Sequence, residues 1–105
     1  MTNQTEIEYH EARIDDASAN IPSHMIGGVK RYVLHGIAGG SFLTALFSND
    51  LMGAIGKADY SNQAALIEWA RFIHNHVPSG CHGSPEKVSA WIASGGLAHR
   101  EQVAA

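Results

Sequence analysis

Apolar residues at helical spacing, interrupted by glycine and proline, are the feature that most constrains the fold of this chain. Between residues 21 and 94 apolar side chains recur every three or four positions. No segment alternates apolar and polar residues in the way that a half-buried strand does. The pattern therefore predicts an all-α fold, with four or five short helices packed as a compact bundle.

Local start and stop signals give the approximate ends of these helices. The predicted segments cover about residues 23–35, 41–58, 60–77 and 85–94. Gly36 is placed to end the first segment and Gly95 and Gly96 to end the last, while Ser41 can cap the second and Asp59 or Ser61 the third. The second segment is either one helix or two helices broken near residues 49–50.

Two glycines inside the second segment need an explanation, because each costs a helix about 1 kcal/mol relative to alanine. They are Gly53 and Gly56. We expect another backbone to approach this helix closely at these positions.

Composition divides the chain into an arm of residues 1–20, a helical domain of residues 21–98 and a tail of residues 99–105. The arm carries five acidic residues against Arg13 alone, and it has only Ile7, Tyr9 and Ile14 to bury. Such a segment cannot offset its own ordering entropy without a partner surface. We therefore expect a mobile acidic arm, with at most a short helix over residues 6–13.

Charge and cysteine content exclude several classes of function. Residues 21–98 hold five basic and four acidic side chains, so no basic stripe for nucleic acid is present. A single cysteine, Cys81, cannot form an internal disulfide, which favours the cytoplasm. The N-terminus lacks a signal-peptide pattern, and no apolar run approaches the length of about 18 residues needed to span a membrane. We expect a cytoplasmic protein that has no membrane segment.

One short stretch has the residue types of a metal or thiol site: His74, His76, Cys81 and His82. The spacing is unsuitable for zinc, because the first two lie about 200° apart around a helix and the last two are adjacent. A nucleophilic role for Cys81 lacks a third, orienting group. The sequence therefore predicts no metal, no cofactor and no catalytic residue.

Two glycine-bearing loops that open onto helices favour anion binding instead. They are "GIAGGSF" and "PSGCHGSPE", and the free N–H groups of each helix start point back into its loop. Basic and aromatic neighbours suit a small phosphorylated ligand such as a nucleotide. The predicted ligand-binding residues are Arg31, Tyr32, Gly39, Gly40, Ser41, Gly83, Ser84 and Trp91, with Lys30 and Trp69 as possible neighbours.

The alternative is a surface that binds protein. With two Trp, three Phe and three Tyr, the chain is expected to leave some of Tyr32, Phe42, Trp69 and Trp91 partly uncovered. A symmetric homo-oligomer, most simply a dimer, would cover them. A host protein is the other possible partner, with the acidic arm folding upon binding it.

The motifs "RYVLHGIAGGSFL", "SNDL" and "NHVPSGCHGSPEKVSAW" resemble a group of small all-helical proteins encoded by tailed phages and prophages. The resemblance covers about residues 21–97, although Ala38 and His82 stand where the group commonly has proline and a larger aromatic residue. It implies an intracellular accessory protein that disables a host defence. The two implied modes, neither of them enzymatic, are sequestration of a nucleotide immune signal and inhibition of a host protein.

Overall fold

The computed structural model describes residues 3–98, and the regular structure in this range is entirely helical. The helices are α1 Asn3–Ala17, α2 Ile26–His35, α3 Ser41–Phe47, α4 Leu51–Lys57, α5 Tyr60–Ala64, α6 Leu66–His76 and α7 Pro85–Ser94. Short 3₁₀ turns cover Ser18–Asn20, Ser23–Met25 and Ser79–Cys81. The all-α prediction is confirmed, but the described chain has seven α-helices rather than four or five.

Two breaks account for part of the difference in helix number. Asn49 adopts a left-handed backbone with φ of 65° and divides the second predicted segment into α3 and α4, which is the two-helix alternative. Asp50 then starts α4 by accepting a hydrogen bond from the N–H of Gly53 at 3.0 Å. The third predicted segment is also interrupted, at Ala65, so the expectation of one helix there was wrong.

Most of the predicted helix caps are present. Gly36 ends α2 and Gly95 ends α7, both in the left-handed conformation that glycine adopts without steric cost. Asp59 caps α5 by accepting from the N–H of Asn62 at 2.8 Å. Ser41 is not a cap, because Gly40 occupies that position and no side chain bonds to the start of α3.

The N-terminal segment is helical over more residues than the sequence predicted. Its helix, α1, runs from Asn3 to Ala17 and packs against α2 and α6. Ile14 is fully buried, so α2 and α6 supply the partner surface that the acidic segment was expected to need. Two acidic side chains of α1 bind Lys30 of α2, Asp15 at 2.7 Å and Glu11 at 3.4 Å.

Tryptophans from two helices organise the core. Trp69 of α6 packs edge-on against Phe42 and Phe72, with ring centroids 5.7 and 5.9 Å away. Its indole N–H donates to the side-chain oxygen of Asn62 at 3.1 Å. Trp91 of α7 is buried against the end of α2, where its indole N–H donates to backbone carbonyls. Each indole nitrogen is thus satisfied, as a buried polar group must be.

The close backbone approach occurs at a different pair of glycines from the predicted one. A Cβ on Gly36 would lie 2.6 Å from the nitrogen of Gly96, and a Cβ on Gly96 would clash with the nitrogen of Gly36. The ends of α2 and α7 therefore touch directly. At Gly53 the atoms nearest to an added Cβ belong to the capping Asp50 side chain, not to another backbone, and at Gly56 nothing lies within 4 Å. The expectation for these two positions was wrong.

Among residues 3–98, no helix has both the length and the apolar character needed to cross a membrane.

Candidate ligand-binding site

A cleft of about 300 Å³ opens between α2 and the loop that leads to α3. Its lining includes Arg31 from α2, Gly39 and Gly40 from the loop, and His24 from the 3₁₀ turn before α2. The structure therefore brings together three of the predicted binding residues that are separated by a helix end in the sequence. We call this depression the Arg31 cleft.

The guanidinium of Arg31 lies along the surface of its own helix. A Cβ on Gly27 would come within 3.2 Å of one guanidinium nitrogen, so the glycine pair Gly27–Gly28 provides the room for this position. No hydrogen bond or ion pair joins the Arg31 guanidinium to another residue of the described range. The neighbouring cation, Lys30, is by contrast engaged by α1, and its pKa is raised mainly by the hydrogen bond with Asp15.

The glycine loop contributes unused backbone donors. Within residues 36–40, the N–H groups of Gly36 and Ile37 bond back to α2, whereas those of Gly39 and Gly40 have no backbone acceptor in the described chain. Gly39 packs so tightly that a Cβ there would lie 2.9 Å from the side chain of Leu43. The close packing holds the backbone of the loop at the wall of the cleft.

His24 was not among the predicted site residues. Its Nε2 atom lies 3.2 Å from a carboxylate oxygen of Asp59. The pKa of Asp59 is lowered, first by the hydrogen bond from the Asn62 N–H and then by the Ser61 hydroxyl and His24. The spacing could have indicated His24, because it precedes Arg31 by seven residues, which is about two helical turns on one face.

The second glycine loop does not join this site. Ser84 accepts a hydrogen bond from the Lys87 N–H at 3.1 Å and so caps α7 itself, and Glu86 adds a negative charge to the first turn. The N–H of Gly83 donates to the carbonyl of Phe47 at 2.9 Å. Gly83 lines a different groove, which shares no lining residue with the Arg31 cleft. The N–H groups of Gly83 and Lys87 therefore already have acceptors within the chain.

Two of the predicted aromatic contacts belong to the core. Tyr32 and Trp91 are each only 2% exposed. The Tyr32 hydroxyl donates to the carbonyl of Cys81 at 2.6 Å, and the Trp91 indole donates to the carbonyls of Tyr32 and Val33 at 3.0 and 3.1 Å. Neither ring has a face available to a ligand, and Phe42 and Trp69 are buried as well. The expectation that these aromatics are partly uncovered was wrong.

The side chains of His74, His76, Cys81 and His82 do not converge on one metal position. Within residues 3–98, no group of three or more His, Cys, Asp or Glu side chains is arranged to hold a metal ion. Cys81 is fully buried, and burial raises the pKa of its thiol to about 12. His76 stacks on Phe72, with ring centroids 6.1 Å apart. A thiol with this pKa is a poor nucleophile at neutral pH.

Comparison of the chain with protein-family models, with curated proteins and with solved structures found no match. The resemblance to phage-encoded proteins thus stays a prediction.

Proposed function

We propose that the protein binds and sequesters a small phosphorylated molecule, such as a nucleotide, in the Arg31 cleft without transforming it. The main support for this proposal is the Arg31 guanidinium. It has no hydrogen-bond or ion-pair partner among residues 3–98, and it lines a cleft beside Gly39 and Gly40, whose N–H groups have no backbone acceptor in that range. A guanidinium binds phosphate through paired hydrogen bonds. Backbone N–H groups supply further donors to phosphate oxygens.

The remaining lining suits a compact ligand. The cleft volume of about 300 Å³ lies at the lower end of the range for small-molecule sites. Leu43 and Met25 give it an apolar surface, and His24 adds an imidazole. Sequestration requires affinity and no turnover, and it fits the counter-defence role that the phage resemblance implies.

Titration calorimetry against cyclic and linear nucleotides is the direct test. The Arg31→Ala variant should bind about tenfold more weakly or worse, since a hydrogen bond to a charged group contributes about 1.5–3 kcal/mol. Arg71→Ala is the matched control, because Arg71 is an exposed arginine on α6 that does not line the cleft. The bound nucleotide should be recovered unchanged by chromatography. Equal affinities for the two variants, or no heat with any nucleotide, would refute the proposal.

A second candidate function is protein binding through exposed apolar side chains of α4, α5 and α6. The large ones are Leu51, Met52, Ile55, Tyr60 and Ile67. Such side chains favour contact with a second copy of the chain or with a host factor. These side chains, rather than the buried aromatics, are the basis for the proposed dimer.

Light scattering on the wild type and on an Ile67→Glu, Met52→Glu double variant tests self-association. We expect a dimer mass for the wild type and a monomer mass for the variant. A monomeric wild type at micromolar concentration would exclude the dimer. Point changes are preferable to deleting residues 1–20, because that deletion would remove the core residue Ile14.

A further inference from the structure

A second groove, of about 390 Å³, lies between the end of α3, the start of α4, α6 and the loop before α7. We call it the His74–His82 groove. Its lining includes Asn49, Asp50 and Leu51 from the "SNDL" motif, which the Arg31 cleft does not use. Its volume falls within the range of about 300–1,000 Å³ that is typical of small-molecule sites.

Hydrogen bonds to distant parts of the chain fix one wall of this groove. The Gly83 N–H donates to the carbonyl of Phe47, at the end of α3, at 2.9 Å. The Tyr32 hydroxyl holds the carbonyl of Cys81, two residues earlier in the same loop. Both bonds join the loop to a helix of the core, so the groove is formed before any ligand arrives.

The lining combines apolar side chains with the imidazole groups of histidines. Leu46, Leu51 and Ile73 provide the apolar surface, and His74 and His82 provide two imidazoles. Lys87 adds an ammonium group beside the rim, because a Cβ on Gly83 would lie 3.7 Å from its Nζ atom. This mixture differs from the Arg31 cleft, where backbone donors accompany one guanidinium.

Asp50 is the carboxylate that lines the groove. One of its oxygens accepts the hydrogen bond from the Gly53 N–H that caps α4. Part of its negative charge is therefore offset by the start of that helix. The remaining polar groups favour an anion.

We propose that the His74–His82 groove binds an amphipathic organic anion, independently of the Arg31 cleft. The ligand's aliphatic or aromatic body contacts Leu46, Leu51 and Ile73. Its carboxylate, sulfonate or phosphate head accepts hydrogen bonds from His74 and His82.

Proton uptake should accompany binding. The pKa of His82 is lowered, first by burial and then by the positive charges of Lys87 and His74. A bound anion would favour the protonated imidazole, against the opposing charge of Asp50, and so raise that pKa. Affinity should therefore increase as the pH falls from about 8 to about 6, through the ordinary range of histidine.

The test uses two fluorescent probes with similar aromatic bodies, anilinonaphthalene sulfonate and the uncharged N-phenylnaphthylamine, with the full-length protein. We expect the sulfonate to bind more tightly at pH about 6 than at pH about 8, and the uncharged probe to show no such change. The His74→Gln, His82→Gln double variant should lose about tenfold in sulfonate affinity at the lower pH. His35→Gln, on exposed α2 surface, is the control and should not change it.

The apolar surface is tested by Leu51→Asn, which should weaken the binding of both probes. Ile37→Asn is the matched control, because Leu51 and Ile37 are similarly exposed, at 59% and 52%, and only Leu51 lines the groove. Near-ultraviolet circular dichroism checks that each variant keeps its packing. If the double variant does not fold, His74→Gln alone replaces it in the binding test, because the His74 side chain is exposed. Unchanged sulfonate binding in Leu51→Asn and His74→Gln, or no binding to the wild type, would overturn the proposal. Equal, pH-independent binding of both probes would overturn its anionic part.

Discussion

Replacing Gly36 by alanine should strongly destabilise the protein, because this glycine lies where the ends of two helices touch. Gly36 ends α2 with φ of 68°, in the left-handed region that costs a non-glycine residue about 1–2 kcal/mol. The new Cβ would also lie 2.6 Å from the nitrogen of Gly96 and 2.7 Å from the carbonyl carbon of Gly95. Real Cβ atoms essentially never approach other atoms this closely.

The cost follows from these two effects. Relieving the clash requires α2 and α7 to move apart, and overpacking of this kind costs about 1–3 kcal/mol. Together with the backbone strain, the expected loss in the free energy of unfolding is about 2–5 kcal/mol. A domain of this size has only about 5–15 kcal/mol in total, so the effect is large.

Urea denaturation followed by tryptophan fluorescence measures this loss, because Trp69 and Trp91 are both buried. Gly56→Ala is the control: Gly56 lies within α4, its added Cβ meets nothing within 4 Å, and the change should stabilise by about 0.5–1 kcal/mol. Gly96→Ala should resemble Gly36→Ala, since it intrudes on the same contact. A loss below about 1 kcal/mol in Gly36→Ala would show that the two helix ends do not touch.

Four further results are expected. Tyr32→Phe should lower the free energy of unfolding by about 1–3 kcal/mol in urea denaturation, because it leaves the buried carbonyl of Cys81 without its donor; no loss would contradict that hydrogen bond. At pH about 8 a disulfide reagent should modify Cys81 about a thousandfold more slowly in the folded protein than in urea, since burial raises its pKa to about 12; equal rates would contradict the burial. Asp59 has a lowered pKa in the fold, so its contribution to stability is present above its unfolded pKa and is lost as the pH falls through the folded value. In Asp59→Asn the free energy of unfolding should therefore change less with pH in this acidic range. Elemental analysis of purified protein should find no stoichiometric zinc, and one tightly held equivalent would contradict this.

The sequence by itself determined the helical class and the helix ends whose signals are local. The last helix was predicted at Pro85–Ser94 and is observed there, because Ser84, Pro85 and Gly95 define its ends within a few residues. Gly36 and Asp59 were predicted on the same basis. A cap depends on the conformation and hydrogen bonds of neighbouring residues, so it can be read from the chain alone.

Only the tertiary structure decided which segments touch. Helical spacing shows that a residue such as Trp91 lies on an apolar face, but not whether a neighbouring helix covers it. For the same reason the acidic N-terminal segment was expected to lack a partner, although α2 and α6 bury Ile14. The Arg31 cleft combines a local and a non-local feature: its glycine loop was evident in the sequence, whereas the addition of His24 and the exclusion of Tyr32 depend on how the helices pack. Packing distances arise from side chains far apart in the chain, and no local pattern encodes them.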